Sequence, residues 1–176
     1  RDQFINRYAD LLNTAFLPSR VIDVIDTMVT NIEADIEKHI NRWSSIGNSM
    51  EKWHAYISVM REFAEKRPGF VREHIIREFN LGGIIELSIA VNPNHGHVKV
   101  NTIEINDKTP GVSDPSSWSG IYFKNIPITL VAVPKTGYRF SHWEGVNSSV
   151  AENKVLTITS NFDLEISAIF EKIDPD

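Results

Sequence analysis

The apolar residues of this chain change their period at Gly82-Gly83, and that change limits the fold more than any other feature. Before the glycine pair they recur every three or four residues. After it they recur every second residue. A spacing near 3.6 builds an amphipathic helix, and a spacing of two builds a half-buried strand. The chain is therefore expected to be α+β by segregated domains. A helical segment covers residues 1–81, a small all-β module covers 82–173, and residues 174–176 are a tail or linker. At 176 residues, either part alone is close to the size at which a core becomes marginal.

The helical part opens on Phe4, Ile5, Tyr8, Leu11, Leu12 and Ala15, which share one helix face. The periodicity is under way within a few residues of Arg1, without an initiator methionine. The chain is thus expected to be a piece of a larger polypeptide, with part of the surface that buries this helix lying upstream. A second helix starts near Pro18, where the missing N–H costs nothing. Val21, Ile22, Ile25, Met28, Val29, Ile32, Ile36, Ile40 and Trp43 mark its face. Gly47 sits in a break, and Asn48 with Glu51 has capping-box spacing. A third helix carries Trp53, Ile57, Met60, Phe63 and Ala64. Arg67-Pro68-Gly69 is expected to end it, and a fourth short helix then carries Val71, Ile75 and Phe79. About four helices are expected in all.

In the second part, Ile85, Leu87, Ile89 and Val91 alternate with polar or small residues. Val98 and Val100 have one parity, and Ile103 and Ile105 the other. A slip of one residue turns a strand over, so a bulge or break is expected near Asn101-Thr102. Further strands are expected over 119–124, 127–133, 138–143, 154–159 and 164–171. They fit either a sandwich or a grasp-like sheet around a helix.

Composition excludes several classes of function. The net charge is −5, and the residues up to Gly82 hold 11 Lys and Arg against 12 Asp and Glu. No basic stripe suited to nucleic acid stands out. No apolar run is long enough to cross a bilayer. The chain has no cysteine, which removes disulfides, thiolate metal sites and cysteine nucleophiles.

The stretch from Phe4 to Phe16, then Val21-Ile22-Asp23, Ile25-Asp26, His39-Ile40, Arg42-Trp43, Arg61-Glu62-Phe63-Ala64, Arg67-Pro68 and Val71-Arg72-Glu73-His74-Ile75 are similar in order and spacing to the C-terminal helical part of the CotH family, the spore-coat kinases and their secreted relatives. The resemblance implies a parent with an atypical protein-kinase fold, transferring the ATP γ-phosphoryl group to protein hydroxyls with Mg²⁺. The family's catalytic and metal-binding residues lie before the segment that Phe4 opens. No catalytic, cofactor-binding or metal residue is therefore assigned here, and ATP and Mg²⁺ are implied for the parent alone. The upstream part of the same polypeptide is the implied partner.

Gly137-Tyr138-Arg139-Phe140-Ser141-His142-Trp143-Glu144-Gly145, preceded by residues 127–134 and followed by 164–170, resembles the divergent internalin B-repeat over roughly residues 84–172. That resemblance implies a spacer or adhesion unit at an extracellular or cell-surface location, the spore coat included. The expected function is a non-catalytic part of a secreted or surface-associated CotH-like kinase. The alternative is a binding module for carbohydrate or for a surface or coat protein.

Candidate ligand contacts follow from residue chemistry. Trp118, Tyr122 and Trp143 form the strongest set, because flat aromatic rings can stack on a sugar. The competing reading puts them in the core. His95 and His97 flank Gly96 on a turn and could ligate a metal, but imidazoles alone make a weak case. Asn106, Asp107 and Asp114 could coordinate calcium, although the EF-hand spacing is absent. Asp23 and Asp26 lie one helical turn apart without a partner base, and they read as surface residues. So does the polar side of the third helix, with Glu51, Arg61, Glu62, Glu65, Lys66 and Arg67.

Overall fold

The computed structural model describes residues 1–43 and 49–173. The expected break at Gly47, the Asn48 cap and the 174–176 tail fall outside them. Among the described residues there are three helices, α1 (Asp2–Leu12), α2 (Pro18–Trp43) and α3 (Met50–Phe79). Eight strands follow: β1 (Ile84–Val91), β2 (Gly96–Val100), β3 (Ile103–Ile105), β4 (Ser117–Phe123), β5 (Ile128–Pro134), β6 (Tyr138–Glu144), β7 (Val155–Ile158) and β8 (Leu164–Lys172).

The expected fourth helix does not exist as a separate element. α3 runs unbroken through Arg67-Pro68-Gly69. An interior proline removes one helical hydrogen bond and costs about 3 kcal/mol. Here Pro68 lies on the buried stripe itself, between Ala64 and Val71. Burial on that stripe continues on both sides and offsets the local penalty. At its start α3 is capped by Ser49, whose Oγ accepts from the Lys52 N–H at 3.2 Å.

Packing groups the chain differently from its periodicity. Residues 1–14 fold together with the chain from His74 onward, and residues 15–73 form a second unit. In the second unit α2 and α3 form a hairpin. Its core is Ile25, Ile36 and Ile40 against Trp53, Ile57 and Ala64, with Val21, Ile22, Val29 and Met50 at the margin.

The first unit contains two four-stranded sheets, ordered β4-β1-β8-β6 and β3-β2-β5-β7. The parity slip at Asn101-Thr102 is a two-residue hairpin turn. Val100 pairs with Ile103 and Val98 with Ile105, so all four side chains are buried although their parity differs. Asn101 takes the left-handed conformation (φ 45°) that such a turn requires. β1 lies between antiparallel β4 and parallel β8. Leu87, Ile89, Val98, Leu130 and Ile166 supply buried residues from both sheets. The sheets approach closely at Gly96, where a Cβ would lie 2.6 Å from the Phe170 ring of the other sheet. This arrangement corresponds to the two-sheet alternative and not to a sheet wrapped around a helix.

α1 packs on this β assembly. It buries Ile5, Ala9 and Leu12, and Phe4 meets Phe79 of α3 at a ring distance of 5.9 Å.

Candidate functional site

Asp10 is fully buried and binds the β assembly through four hydrogen bonds. Its Oδ2 accepts from the Thr102 N–H at 3.0 Å and the Thr102 hydroxyl at 2.6 Å. Its Oδ1 accepts from the Tyr122 hydroxyl at 2.9 Å and from Asn101 Nδ2 at 3.3 Å. A buried carboxyl group is tolerated only when its oxygens are satisfied in this way. One turn later, Asn13 pairs with the β4 backbone in both directions. Its Nδ2 donates to the Ile121 carbonyl and its Oδ1 accepts from the Ile121 N–H, each at 2.9 Å. β4 is an edge strand, so a side-chain amide takes part of the place of a neighbouring strand. Asn6 Nδ2 adds a hydrogen bond to the Pro127 carbonyl at 2.7 Å. Sequence reasoning missed this set. Its one visible signal was a carboxylate adjoining the apolar residues of the first helix.

The three candidate aromatics are internal. Trp118 is 6 % exposed, Trp143 1 % and Tyr122 not at all. The Tyr122 hydroxyl is taken by Asp10, and Trp143 Nε1 donates to the Asn153 carbonyl at 2.8 Å. Burial and the neighbouring Asp10 raise the Tyr122 pKa well above its ordinary value. The expectation of a sugar-stacking platform is corrected accordingly, because these rings are occupied as core and offer no open face. Within the Gly137–Gly145 motif, Trp143 is buried, while Phe140 packs half-buried beside Trp143 and Phe170.

The two histidines diverge. The His95 ring stacks on Tyr138 at 4.3 Å. His97 points into a cleft of about 650 Å³ lined by residues including Glu104, Asn106, Asp107, Lys108 and Lys135. The fold thus brings His97 together with the 106–108 loop. His97 Nε2 is buried without a hydrogen bond and lies 3.7 Å from Glu104 Oε2. Burial holds the His97 pKa below its ordinary value, with Glu104 opposing and Lys135 reinforcing the shift. Asn106 Oδ1 and Asp114 Oδ1 accept from the Lys108 and Ser116 N–H groups, closing local turns. Among the described residues no three His, Cys, Asp or Glu side chains are placed to hold a metal ion.

The α2–α3 hairpin has two unlike faces. Arg61 donates to Asp26 at 2.7 Å, and His54 lies 3.2 Å from Glu33. The two pairs are two turns apart on each helix, which fixes an antiparallel register. Asp26 is therefore a surface residue with a partner from the neighbouring helix. With about 100° of rotation per residue, these ion pairs lie on one side of the buried line. Asp23, Glu37, Glu51 and Glu65 lie on the same side. On the other side are Val24, Met28 and Ile32 of α2 and Tyr56, Val59, Met60 and Phe63 of α3, all exposed. Met28 and Phe63 are each 62 % exposed. In the register Val24 stands opposite Phe63, and Met28 opposite Val59.

That apolar strip is bordered by exposed Lys38 and Arg42 of α2 and Lys52, Lys66 and Arg67 of α3. Arg67 stands 5.8 Å from the Phe63 ring centre. Three acids share this border: Asp35, which accepts from Lys38 at 3.1 Å, Glu62, which accepts from Lys66, and Glu73, so Arg42, Lys52 and Arg67 carry most of the strip's positive charge. Charge balance over the whole chain conceals this local sorting.

Two family models match the chain. Residues 1–71 match the CotH kinase protein model. Residues 101–174 match the divergent InlB B-repeat domain model. The chain joins a segment that matches the CotH model to one that matches the InlB-repeat model. No curated protein and no solved structure gives a significant match. The two matches cut across the packing. α1 lies in the CotH match yet folds with the repeat strands, and β1 and β2 precede the repeat match yet are internal strands of the two sheets. In the described residues no helix is long and apolar enough to cross a membrane.

Proposed function

We propose that this chain is a non-catalytic part of a CotH-like surface protein, lying after the catalytic residues. The helices complete the C-terminal lobe of the kinase-like domain, and the β module is a spacer that holds the first of them, α1. The observation that carries this reading is the Asp10 cluster. It ties a helix of the CotH segment into the repeat through buried hydrogen bonds, which suits a structural role for the repeat better than that of a separate adhesin. The burial of Trp118, Tyr122 and Trp143 supports a scaffold role in the same way. An extracellular or cell-surface location accords with both family matches.

ATP–Mg²⁺ binding and phosphoryl transfer test the proposal, measured on this chain and on a longer CotH-like polypeptide containing it. Transfer by the longer protein alone is the expected result. Transfer by this chain alone would overturn it.

The alternative, a binding module, draws on the cleft at His97, where ionic groups of both signs meet. A screen of glycans and peptides against the chain, repeated with His97→Ala and Lys135→Ala, separates the two readings. The spacer reading expects no ligand lost with either change.

A further inference from the structure

We infer that the apolar side of the α2–α3 hairpin is a docking groove for one amphipathic α-helix with acidic flanks. Two antiparallel helices that share a core on one line and expose a second apolar line beside it form two-thirds of a three-helix bundle. Val24, Met28 and Ile32 face Tyr56, Val59 and Phe63 across the groove, all exposed. An apolar strip of this extent on a protein surface marks an interaction site. A helix laid into such a groove reads it through anchors at i, i+3, i+4 and i+7.

Charge selects the occupant. The groove is bordered on both helices by an excess of Lys and Arg, five cations against Asp35, Glu62 and Glu73, with Lys38 and Lys66 paired to the first two acids, while the acidic side of the hairpin faces away with its Asp26–Arg61 and Glu33–His54 pairs. A partner flanked by Asp and Glu meets opposite charge along both borders. A basic-flanked helix, or a second copy of this basic-bordered face, meets like charge. The source we assign is the upstream part of the same CotH-like polypeptide. For the source alone, the inference rests on the function proposed above.

The test uses the whole chain and two synthetic heptad peptides with the same leucine face, one with glutamate flanks and one with lysine flanks. Binding is read by fluorescence anisotropy. The glutamate peptide is expected to bind at least about tenfold more tightly than its lysine twin, with affinity falling as salt rises. Lys52→Glu with Lys66→Glu is expected to erase that preference, and Met28→Asp to abolish binding. Circular dichroism verifies that each variant stays helical. Equal binding of the two peptides overturns the inference. So does tighter association with phosphatidylglycerol vesicles than with either peptide, or a dimer of the chain alone in sedimentation. For the source, hydrogen exchange at residues 24–32 and 56–63 should be slower in the longer polypeptide than in this chain. Equal exchange overturns the assigned source. The phosphoryl-transfer assay reports on the kinase-like reading separately, so the two can fail independently.

Discussion

The Tyr122 hydroxyl donates to Asp10 Oδ1 at 2.9 Å, across 112 residues of sequence. Neither group touches water. Asp10→Ala would leave the Tyr122 hydroxyl and the Thr102 N–H without their acceptor inside the core. Each orphaned group costs about 1–3 kcal/mol. We expect Asp10→Ala to destabilise the protein by about 3 kcal/mol or more in urea denaturation. Tyr122→Phe, which removes one donor and leaves the carboxylate its other three, should cost about 1–2 kcal/mol. The double variant should lose less than the sum of the singles, since the two residues share one interaction.

Gly120 stands where α1 meets the edge strand. A Cβ there would lie 2.4 Å from the Trp118 ring and 3.0 Å from Asn13 Nδ2. Gly120→Ala should push Asn13 off the β4 backbone. The expected readout is faster amide exchange at Ile121, with a loss of stability typical of overpacking, about 1–3 kcal/mol. Unchanged exchange at Ile121 would show that the Asn13 clamp tolerates the methyl group.

His97 should make stability fall in mild acid. Its pKa is lower in the folded protein than in the unfolded chain, because burial disfavours the charged ring. The unfolded state therefore binds the proton more readily. The contribution is fully present above the unfolded value of about 6.5 and is lost as pH falls through the folded value. Melting temperatures between pH 7.5 and 5 should decline less steeply in His97→Gln. Identical slopes would assign the acid sensitivity elsewhere.

Tyr122 should act at the other end of the scale. Its folded pKa is raised, so its contribution is present below the unfolded value near 10 and is lost as pH rises through the folded one. Tyr122→Phe should remain folded at a pH where the parent begins to unfold, as followed by tryptophan fluorescence.

In the hairpin, the apolar seam should matter more than the ion pairs. Trp53→Ala removes a buried indole from the core and should cost about 3–5 kcal/mol. Asp26→Asn breaks a pair whose side chains are 46 % and 37 % exposed. Solvent screening limits that loss to about 1 kcal/mol or less.

The period change at Gly82-Gly83 made the α and β regions legible, and alternation located the strands closely. The parity slip at Asn101-Thr102 was readable as an interruption, though not as a tight turn. Pro68 misled because local propensity is a weak guide once a buried stripe runs through it. The aromatics at 118, 122 and 143 could be read as core or as surface, since a strand residue's parity does not reveal which face is covered.

Sequence by itself determined the local grammar and the two family segments, because period, turn chemistry and motif order are properties of neighbouring residues. Tertiary structure decided that α1 belongs with the β assembly, that Asp10 has its partners at Thr102 and Tyr122, and that the hairpin sorts its charges onto opposite sides. Each of these depends on residues far apart in the chain meeting at a fixed register, which one-dimensional periodicity does not specify.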